Sequence, residues 1–396
     1  MKKTGGKNKM VKAIKVMLLP NNVQKTKMFQ YADASRFAYN WALAKEEENY
    51  GKGGKFIPDT ELRKEFTRLR NSDEYAWLLN ISNNVTKQAI KDACTAYKNF
   101  FKGLQRHPKF KSKKKSMPKF YQDNVNIQFS DTHVKFERFS FSRKANKQKL
   151  NWVRLAEHGR IPIDAKYMNP RISFDGLNWW ISICVEFPDC KDSLNDDGIG
   201  IDLGVKDLAI CSDGNTYKNI NKSQTIKKLE KRKLRLQRSV SRQYVQNKKK
   251  GKYCKTCNIV KNEELLLKVN RRLTNIRKNY LNQTTSEIVN RKPRFICIED
   301  LNVSGMMKNR HLSKAIQNQG FFEFRRQLEY KCNDSGIQLV VADKFYPSSK
   351  LCSCCGNIKK DLKLSDRIYR CQCGNVIDRD FQASVNLKAY GEEFAS

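Results

Sequence analysis

The stretch GIGIDLGVKDLAI, at residues 198–210, predicts a strand, a tight turn and a second strand. Its first strand is apolar except for Asp202, and burying a lone carboxylate costs several kcal/mol. Asp202 is therefore either part of the turn that ends the strand or a member of a site that compensates its charge.

Two further acids have similar settings. Glu299 follows the apolar strand FICI at residues 295–298, and Asp380 precedes a predicted helix at residues 381–387. Taken singly, Glu299 fits a loop cap, and Asp380 fits an N-cap or first-turn acid. Taken together, the three carboxylates can converge on divalent cations. Oxygen ligands suit Mg²⁺ or Mn²⁺, and two such ions about 4 Å apart can activate water for phosphodiester cleavage.

The charge of the chain supports a nucleic-acid substrate. The 396 residues include 78 Lys and Arg against 40 Asp and Glu, a formal charge of +38. The positive charge is spread along the chain, as expected for a protein of two or three domains that encloses a polyanion. A generically basic protein, such as a ribosomal component, is the alternative.

Other functional classes have less support in the sequence. There is no run of about 18 apolar residues and no apolar segment after the basic start, so we expect neither secretion nor a membrane partner. We expect the protein to be cytoplasmic. The four histidines lie in unrelated contexts, which argues against a Ser-His-Asp or Cys-His site. We find no phosphate-binding loop or dinucleotide fingerprint.

Five of the 13 cysteines lie between residues 352 and 373. Four of them form a C-x₂-C pair and, after 15 intervening residues, a C-x-C pair. Four thiolates at this spacing predict one tetrahedral structural Zn²⁺, with free thiols as the alternative. The predicted ligands are Cys352, Cys355, Cys371 and Cys373. Cys354 is a spare thiol that could replace a neighbour.

The N-terminal half predicts helices followed by short strands. Residues 11–19 form a strand and residues 23–105 are helical. Strands at 125–129, 134–141, 150–155, 172–174 and 179–187 predict a small barrel or folded sheet. The helix at 84–101 has a polar side, with Asn84, Lys87 and Gln88, that faces either solvent or a nucleic-acid backbone. The loop at 107–115 is expected to contact phosphates through Lys111, Lys113, Lys114 and Lys115.

The C-terminal half predicts a basic helix at 225–246, and Lys231, Arg232 and Arg235 in it are further candidate nucleic-acid contacts. Helices are also predicted at 263–289 and 312–333, and a strand at 337–342. Cys254 and Cys257 form a second C-x₂-C pair in a predicted exposed loop at 248–257. We interpret them as loop residues rather than an accessory metal pair.

Several motifs resemble those of the TnpB family of insertion sequences, which is related to compact type V CRISPR effectors. Residues 200–209, 297–306 and 378–387 resemble the first, second and third RuvC-type nuclease motifs, in the family's order. The cysteine segment at 347–356 and the stretch FRRQLEY at 324–330 are also similar, as are KAIKV at 12–16 and FAYNWA at 37–42. The resemblance covers nearly the whole chain and is more specific in the C-terminal half.

The resemblance implies an RNA-guided DNA endonuclease with an α+β multidomain fold. A structured RNA from the transposon end would carry the guide, and the protein would recognise a short motif beside the double-stranded target. It implies a RuvC-like nuclease domain of RNase H fold at 198–346 and 377–396, with Asp202, Glu299 and Asp380 as the catalytic Mg²⁺ ligands. A zinc-binding insert would occupy 347–376. A β-barrel wedge domain would occupy 1–20 and 106–192, and a helical recognition domain 21–105.

The sequence departs from the family pattern at three places. Gln382 stands where the family usually has Asn and is expected to weaken local hydrogen bonding. A C-x-C pair replaces C-x₂-C, and the insert around Cys254 is unfamiliar. The rivals are a guide-independent transposase, a nuclease-silent RNA-guided repressor and a guide-free resolvase. The intact acids argue against the repressor. The resemblance also implies a prokaryotic protein in the cytoplasm, associated with the nucleoid, and we expect a monomer.

Overall fold

The computed structural model describes residues 9–140, 144, 149–188, 193–249, 251–363 and 366–395. The chain has an α+β fold and divides into two compact units at residues 188 and 189. None of the helices in these ranges combines the length and the apolar character needed to span a membrane.

The first unit begins with strand β1 (Lys9–Leu19) and three α-helices, α1 (Asn22–Gly51), α2 (Asp59–Arg70) and α3 (Asn83–Phe101). A 3₁₀ segment, Asp73–Asn80, lies between α2 and α3. Asn21 and Gln24 form a reciprocal capping box that fixes the start of α1. The helical stretch predicted at 23–105 consists of these three α-helices and the 3₁₀ segment, joined by short connections.

Seven strands of this unit form one sheet in the order β2-β6-β7-β1-β5-β4-β3, and every pair is antiparallel. The longest ladder joins β1 to β7 from Lys9–Pro188 to Leu18–Trp179. The buried residues of this sheet and of α1–α3 belong to one hydrophobic core. The remaining strands are β2 (Lys119–Tyr121), β3 (Gln128–Phe129), β4 (His133–Lys135), β5 (Trp152–Leu155), β6 (Tyr167–Phe174) and β7 (Trp179–Pro188).

Three of the strands predicted in this unit are shorter in the structure. The strand predicted at 150–155 begins at Trp152, because residues Lys149–Asn151 form a 3₁₀ turn. The strand predicted at 125–129 is reduced to β3, because Asp123 accepts hydrogen bonds from the backbone and side chain of Asn126 and holds a turn there. The strand predicted at 134–141 ends at Lys135. Arg138 has a φ of 56°, and the chain turns there so that Phe136 and Phe139 both enter the core. Phe141 lies outside the described residues.

The second unit contains a five-stranded sheet in the order β10-β9-β8-β13-β14. Strands β8 (Ile199–Leu203), β9 (Asp207–Cys211) and β10 (Thr216–Lys218) are antiparallel neighbours. Strands β13 (Phe295–Ile298) and β14 (Gln338–Val341) continue the sheet from β8 in parallel. The strand, turn and strand predicted at 198–210 are thus confirmed as β8 and β9.

Two long helices connect β10 to β13. Helix α4 (Gln224–Gln246) and helix α5 (Cys257–Val289) flank a small hairpin of β11 (Lys248–Lys249) and β12 (Lys252–Tyr253). The prediction of an exposed loop through residue 257 was wrong, because Thr256 accepts a hydrogen bond from the Ile259 amide and caps α5 from Cys257 onward.

Helices α6 (Val303–Met306), α7 (Ser313–Gln319) and α8 (Phe321–Ser335) lie between β13 and β14. The single helix predicted at 312–333 is two helices, because Gly320 adopts φ 72° in the left-handed region and separates them. Phe321 and Phe324 of α8 are buried, as predicted.

The chain ends with the hairpin β15 (Ile368–Arg370) and β16 (Val376–Asp378), which leads into helix α9 (Arg379–Phe394). Helix α9 packs directly on β8. A Cβ at Gly200 would lie 2.1 Å from the Ser384 carbonyl oxygen and 2.3 Å from the Lys388 nitrogen. This close approach explains why the first motif has glycine in the middle of a strand.

Candidate metal centres and nucleic-acid surface

Asp202 and Glu299 are brought together by the parallel pairing of β8 and β13. The register pairs Ile201 with Ile298, so the carboxylate residues that follow are neighbours across the sheet. Ser348 donates a hydrogen bond of 2.5 Å from Oγ to Glu299 Oε1. The sequence did not single out Ser348, and its position four residues before the first cysteine of the cluster was the only available signal.

Asp380 reaches the same region from the first turn of α9. Asp378 caps this helix by accepting hydrogen bonds from the amides of Asp380 and Phe381. Arg379 Nη2 lies 2.8 Å from Asp380 Oδ1, and Arg367 Nη1 lies 3.3 Å from Oδ2. Two arginines thus neutralise the Asp380 carboxylate. Asp202 and Glu299 lie close enough to Asp380 for their charges to interact with it.

The electrostatics of the three acids favour a bound cation. Desolvation, followed by the charges of Glu299 and Asp380, raises the pKa of Asp202 well above its usual range. Desolvation also raises the pKa of Glu299, against the hydrogen bond from Ser348. Like-charged carboxylates in a desolvated site are costly, and an oxygen-only donor set relieves that cost when it holds a hard cation.

The four predicted zinc ligands converge. The sulphurs of Cys352, Cys355, Cys371 and Cys373 all lie within 4.8 Å of one another. Among the described residues, this is the one set of three or more Cys, His, Asp or Glu ligand atoms gathered so closely. The Asp202 and Glu299 side chains lie within hydrogen-bond range of each other, and Asp380 interacts electrostatically with both.

The sulphur spacing fits tetrahedral zinc. The Sγ atoms of Cys352 and Cys373 are 3.7 Å apart, and those of Cys355 and Cys371 are 3.6 Å apart. Four sulphurs about 2.3 Å from a central Zn²⁺ would be about 3.8 Å apart. The exposed spare thiol, Cys354, does not belong to this set.

Two tight turns position the cysteines. In each turn a glycine amide donates to the carbonyl of the first cysteine of the pair, Gly356 to Cys352 and Gly374 to Cys371. Both glycines have positive φ, 73° and 90°. Desolvation acts to raise the pKa of Cys352, but hydrogen bonds from the Asn375 side chain and from backbone amides lower it to about 6. This lower pKa favours the thiolate form of Cys352, which is the form that binds a metal.

Gln382 connects the cysteine turns to α9. It is fully buried, and its Nε2 donates 2.7 Å to the Leu351 carbonyl. Its Oε1 accepts from Asn375 Nδ2 at 3.0 Å. Asn386 adds bonds to the carbonyls of Ser348 and Leu351. The expected weakening of hydrogen bonding at Gln382 is therefore wrong, because its longer side chain reaches both cysteine turns.

The predicted contacts on α3 are partly engaged within the protein. Asn84 Nδ2 donates to the carboxylate of Glu137, at 3.2 Å to Oε2. Gln88 Nε2 donates 2.9 Å to Asp92 Oδ1, and Asp92 also pairs with Arg171. Lys87 is the only one of the three that is exposed, and it is also the only one that carries a charge.

The lysine-rich loop divides in the same way. Lys111 Nζ lies 3.0 Å from the centroid of the Tyr39 ring, and desolvation lowers its pKa to about 7. Lys113, Lys114 and Lys115 are exposed and line a pocket of about 460 Å³ together with Arg36. The prediction of an outward-facing cation therefore fits these three lysines but not Lys111.

Helix α4 presents a basic face to solvent. Its Ile226 packs with Val269 and Leu273 of α5 in a small core. On the outward side, Lys231, Arg232 and Arg235 are exposed, as predicted. Cys254 is half-buried and Cys257 is exposed at the start of α5. They are absent from the sulphur cluster found in the described part of the chain.

Three family models match parts of the chain. Residues 182–310 match a model described as "Probable transposase", residues 321–387 a "Cas12f1-like, TNB domain", and residues 10–55 a "Helix-turn-helix domain". Residues 10–55 here form most of β1 and the single long helix α1.

Two similar proteins align over most of their length. The "Putative RNA-guided DNA endonuclease InsQ" of Escherichia coli K12 is 29% identical over 401 residues, covering 97% of this chain and 93% of that protein. A "Putative RNA-guided DNA endonuclease" of Streptomyces pristinaespiralis is 28% identical, covering 96% and 89%. A solved Cas12f1-sgRNA-target DNA complex contains a chain with a similar fold, at a TM-score of 0.58 and 12% identity, covering 96% and 99%.

Proposed function

The chain belongs to the TnpB family of insertion-sequence proteins, and we propose that it is an RNA-guided DNA endonuclease. The two relatives matched over most of both chains are named for that activity. The observation that carries the proposal is the pairing of the desolvated acids Asp202 and Glu299 on adjacent strands, beside Asp380. This donor set suits phosphodiester hydrolysis in a protein of charge +38.

In this proposal Asp202, Glu299 and Asp380 are the catalytic residues and hold Mg²⁺ or Mn²⁺. When bound, a pair of these ions supplies a water nucleophile at neutral pH and stabilises the leaving oxygen. Ser348 orients Glu299 through its hydrogen bond, and Arg379 and Arg367 orient the Asp380 carboxylate. Cys352, Cys355, Cys371 and Cys373 hold one structural Zn²⁺.

We assign the domains from this function. The five-stranded sheet with α9 would be the RuvC-like nuclease domain of RNase H fold, residues 198–346 and 377–396, with the zinc-binding insert at 347–376. Residues 1–20 and 106–192 would form the wedge barrel, and 21–105 the recognition domain. The sheet order and the cysteine cluster support this division.

The partners in this proposal are a guide RNA and a double-stranded DNA target with a short adjacent motif. Exposed cations that suit the nucleic-acid backbone are Lys87, Lys113, Lys114, Lys115, Lys231, Arg232 and Arg235. Asn84 and Gln88 would contact DNA only after exchanging their bonds to Glu137 and Asp92. The active form would be a monomer in the bacterial or archaeal cytoplasm.

The test begins with expression of the gene together with its natural flanking DNA. RNA that copurifies with the protein is sequenced, and the loaded protein is then incubated with DNA that matches the guide. One abundant RNA that extends past the end of the element, and Mg²⁺-dependent cleavage of matched DNA alone, support the proposal. Heterogeneous RNA with activity on transposon ends would favour a guide-independent transposase. Binding of matched DNA without cleavage would favour a repressor.

A further inference from the structure

Among the described residues, the two most exposed aromatic side chains line pockets that share the same acidic residue, Glu299. Phe345 is 84% exposed and Phe322 is 73% exposed. Phe345 lines a pocket of about 550 Å³ that also contains Glu299, and Phe322 lines one of about 320 Å³ that contains Glu299 as well. The pockets share Lys344, and together we call them the Glu299 cleft.

Phe345 is held outward by the hydrogen bonds of its loop. Asp343 Oδ1 accepts from the Phe345 amide at 2.9 Å, and the Tyr346 amide donates to the Asp343 carbonyl at 3.0 Å. Tyr346 packs on Tyr390 of α9 with ring centroids 4.7 Å apart. Phe345 is therefore the tip of an anchored turn, and little backbone entropy is lost when a flat ligand packs on it.

The distance from this tip to the carboxylates is short. Phe345 precedes Ser348, which binds Glu299, by three residues, and three residues span at most about 10 Å. Stacked bases repeat every 3.4 Å or so along a strand. With the reach of the side chains added to this span, a base on Phe345 would lie within a few bases of a phosphate at Glu299.

Phe322 reaches the same cleft from α8. Its neighbours in sequence, Phe321 and Phe324, are buried, and Phe322 projects from the other face of the helix. Arg325 lies one turn further along the same face and pairs with Asp300. Arg325 also pairs with Glu329, so its charge is engaged within the protein.

The charges of the Glu299 cleft nearly cancel, so its own field does little to attract phosphates. Glu299, Asp300 and Asp343 are matched there by Lys344, Lys350 and Arg325. What the cleft adds is two exposed aromatic rings. The Lys344 ammonium lies over one face of the Phe345 ring, 5.6 Å from its centroid. Ring faces can stack on unpaired bases, whereas bases in a duplex are covered by their neighbours.

We propose that Phe345 and Phe322 bind unpaired bases of the DNA strand that crosses the three carboxylates, on either side of the phosphate to be cut. This proposal rests on the nuclease function proposed above. The cleft would accept locally opened DNA and bind intact duplex poorly. Stacking is tolerant of sequence, so the two rings would fix the position of the strand without selecting bases.

The first test measures binding alone. RNA-loaded protein in Ca²⁺ is titrated with a short oligothymidine that contains a single fluorescent 2-aminopurine base. Wild-type protein should quench the fluorophore, and Phe345→Ala should reduce the quenching and weaken binding about tenfold, with a smaller loss for Phe322→Ala. Phe345→Trp should restore both. Tyr253→Ala, which removes another exposed aromatic ring, is the control and should match wild type. Equal quenching and affinity in wild type and Phe345→Ala would overturn the proposal.

The second test measures single-turnover cleavage of guide-matched duplex. Phe345→Ala should cut about tenfold more slowly while target binding stays unchanged, and opening the target with mismatches should not rescue it. If wild type binds and quenches the oligonucleotide but cuts no matched DNA, the guided-nuclease function fails and the stacking surface stands. If wild type cuts and Phe345→Ala cuts at the same rate, the stacking surface fails alone.

Discussion

Ser348 donates a 2.5 Å hydrogen bond to Glu299, and this contact joins the start of the cysteine segment to the second acid of the sheet. The Ser348 carbonyl in turn accepts from Asn386 Nδ2 of α9 at 2.7 Å. The segment between β14 and the zinc ligands is thus fixed to two of the elements that carry the acids.

Replacing any one of the three acids should remove DNA cleavage and leave target binding intact. Asp202→Ala, Glu299→Ala and Asp380→Ala each delete a proposed metal ligand, and the loss should be about a thousandfold or more. Single-turnover cleavage and a gel-shift assay with the same guide-matched DNA measure the two properties. Glu264→Gln, which changes an exposed acid on α5, is the control. Full cleavage by one of the alanine variants would remove that residue from the site.

The four clustered cysteines should hold one zinc per chain, and Cys354 should be dispensable. Cys355→Ser and Cys371→Ser each remove a sulphur from the cluster, so both should lower the zinc content and the thermal midpoint. Cys354→Ser is the matched control, because this exposed thiol lies outside the cluster. Elemental analysis of the purified proteins provides the measurement. Wild-type protein without zinc would contradict the assignment.

Gln382→Leu should destabilise the second unit by about 1–3 kcal/mol. The variant removes hydrogen bonds of Gln382 to Leu351 and Asn375 at a fully buried position. Ser353→Ala is the control, since Ser353 makes only a 3.4 Å contact to the same amide oxygen. Denaturant unfolding gives the free energies. Equal losses in the two variants would show that Gln382 does not connect the cysteine turns to α9.

Lys111→Met should stabilise the first unit at neutral pH, and the gain should shrink in alkali. Burial lowers the pKa of folded Lys111 to about 7, whereas an unfolded lysine titrates near 10.4. Between these values the unfolded chain binds more protons, so wild-type stability rises with pH. The gain from methionine, about 1 kcal/mol or more, should be full below pH 7 or so and fade towards about pH 10. Thermal melts across this range measure it.

Lys113→Met is the control for this prediction, because Lys113 is exposed and its loss should not stabilise the protein. A gain from Lys111→Met that does not change with pH would mean that improved packing, rather than removal of a buried charge, is responsible.

Gly200→Ala should cost about 1–3 kcal/mol or prevent folding of the second unit, because its Cβ would collide with the backbone of α9. Gly51→Ala is the control, since a Cβ there meets no atom within 4 Å. Thermal unfolding compares the two. A Gly200→Ala protein with wild-type stability would contradict the close packing of β8 on α9.

The strands and helix that carry the acids were predictable because each has a local signal. An apolar run interrupted by one carboxylate marks β8, and an acid followed by apolar helical spacing marks α9. Of the two positions open to Asp380, the structure has the first turn, and the N-cap is Asp378. The cysteine pairs likewise have a spacing that only a few structures share. In these elements the local pattern and the tertiary packing favour the same conformation.

The contacts that support the site were not predictable, because they join residues distant in sequence. Ser348 meets Glu299 across 49 positions, and Gln382 meets Leu351 across 31. Lys111 lies in a loop, and its inward position depends on its contact with Tyr39 of α1. Gly320 was overlooked for a different reason, since the apolar periodicity on both sides of it resembles one continuous helix.

The most direct test of the central claim is to change the guide. The protein is purified with an RNA whose structured part is natural and whose guide segment has been replaced. It is then given two plasmids, one matching the original guide and one matching the new guide, each beside the same adjacent motif. An RNA-guided endonuclease should cut the plasmid that matches the new guide in Mg²⁺ and spare the other. Cleavage that ignores the replacement, or that follows transposon-end sequences, would contradict the account.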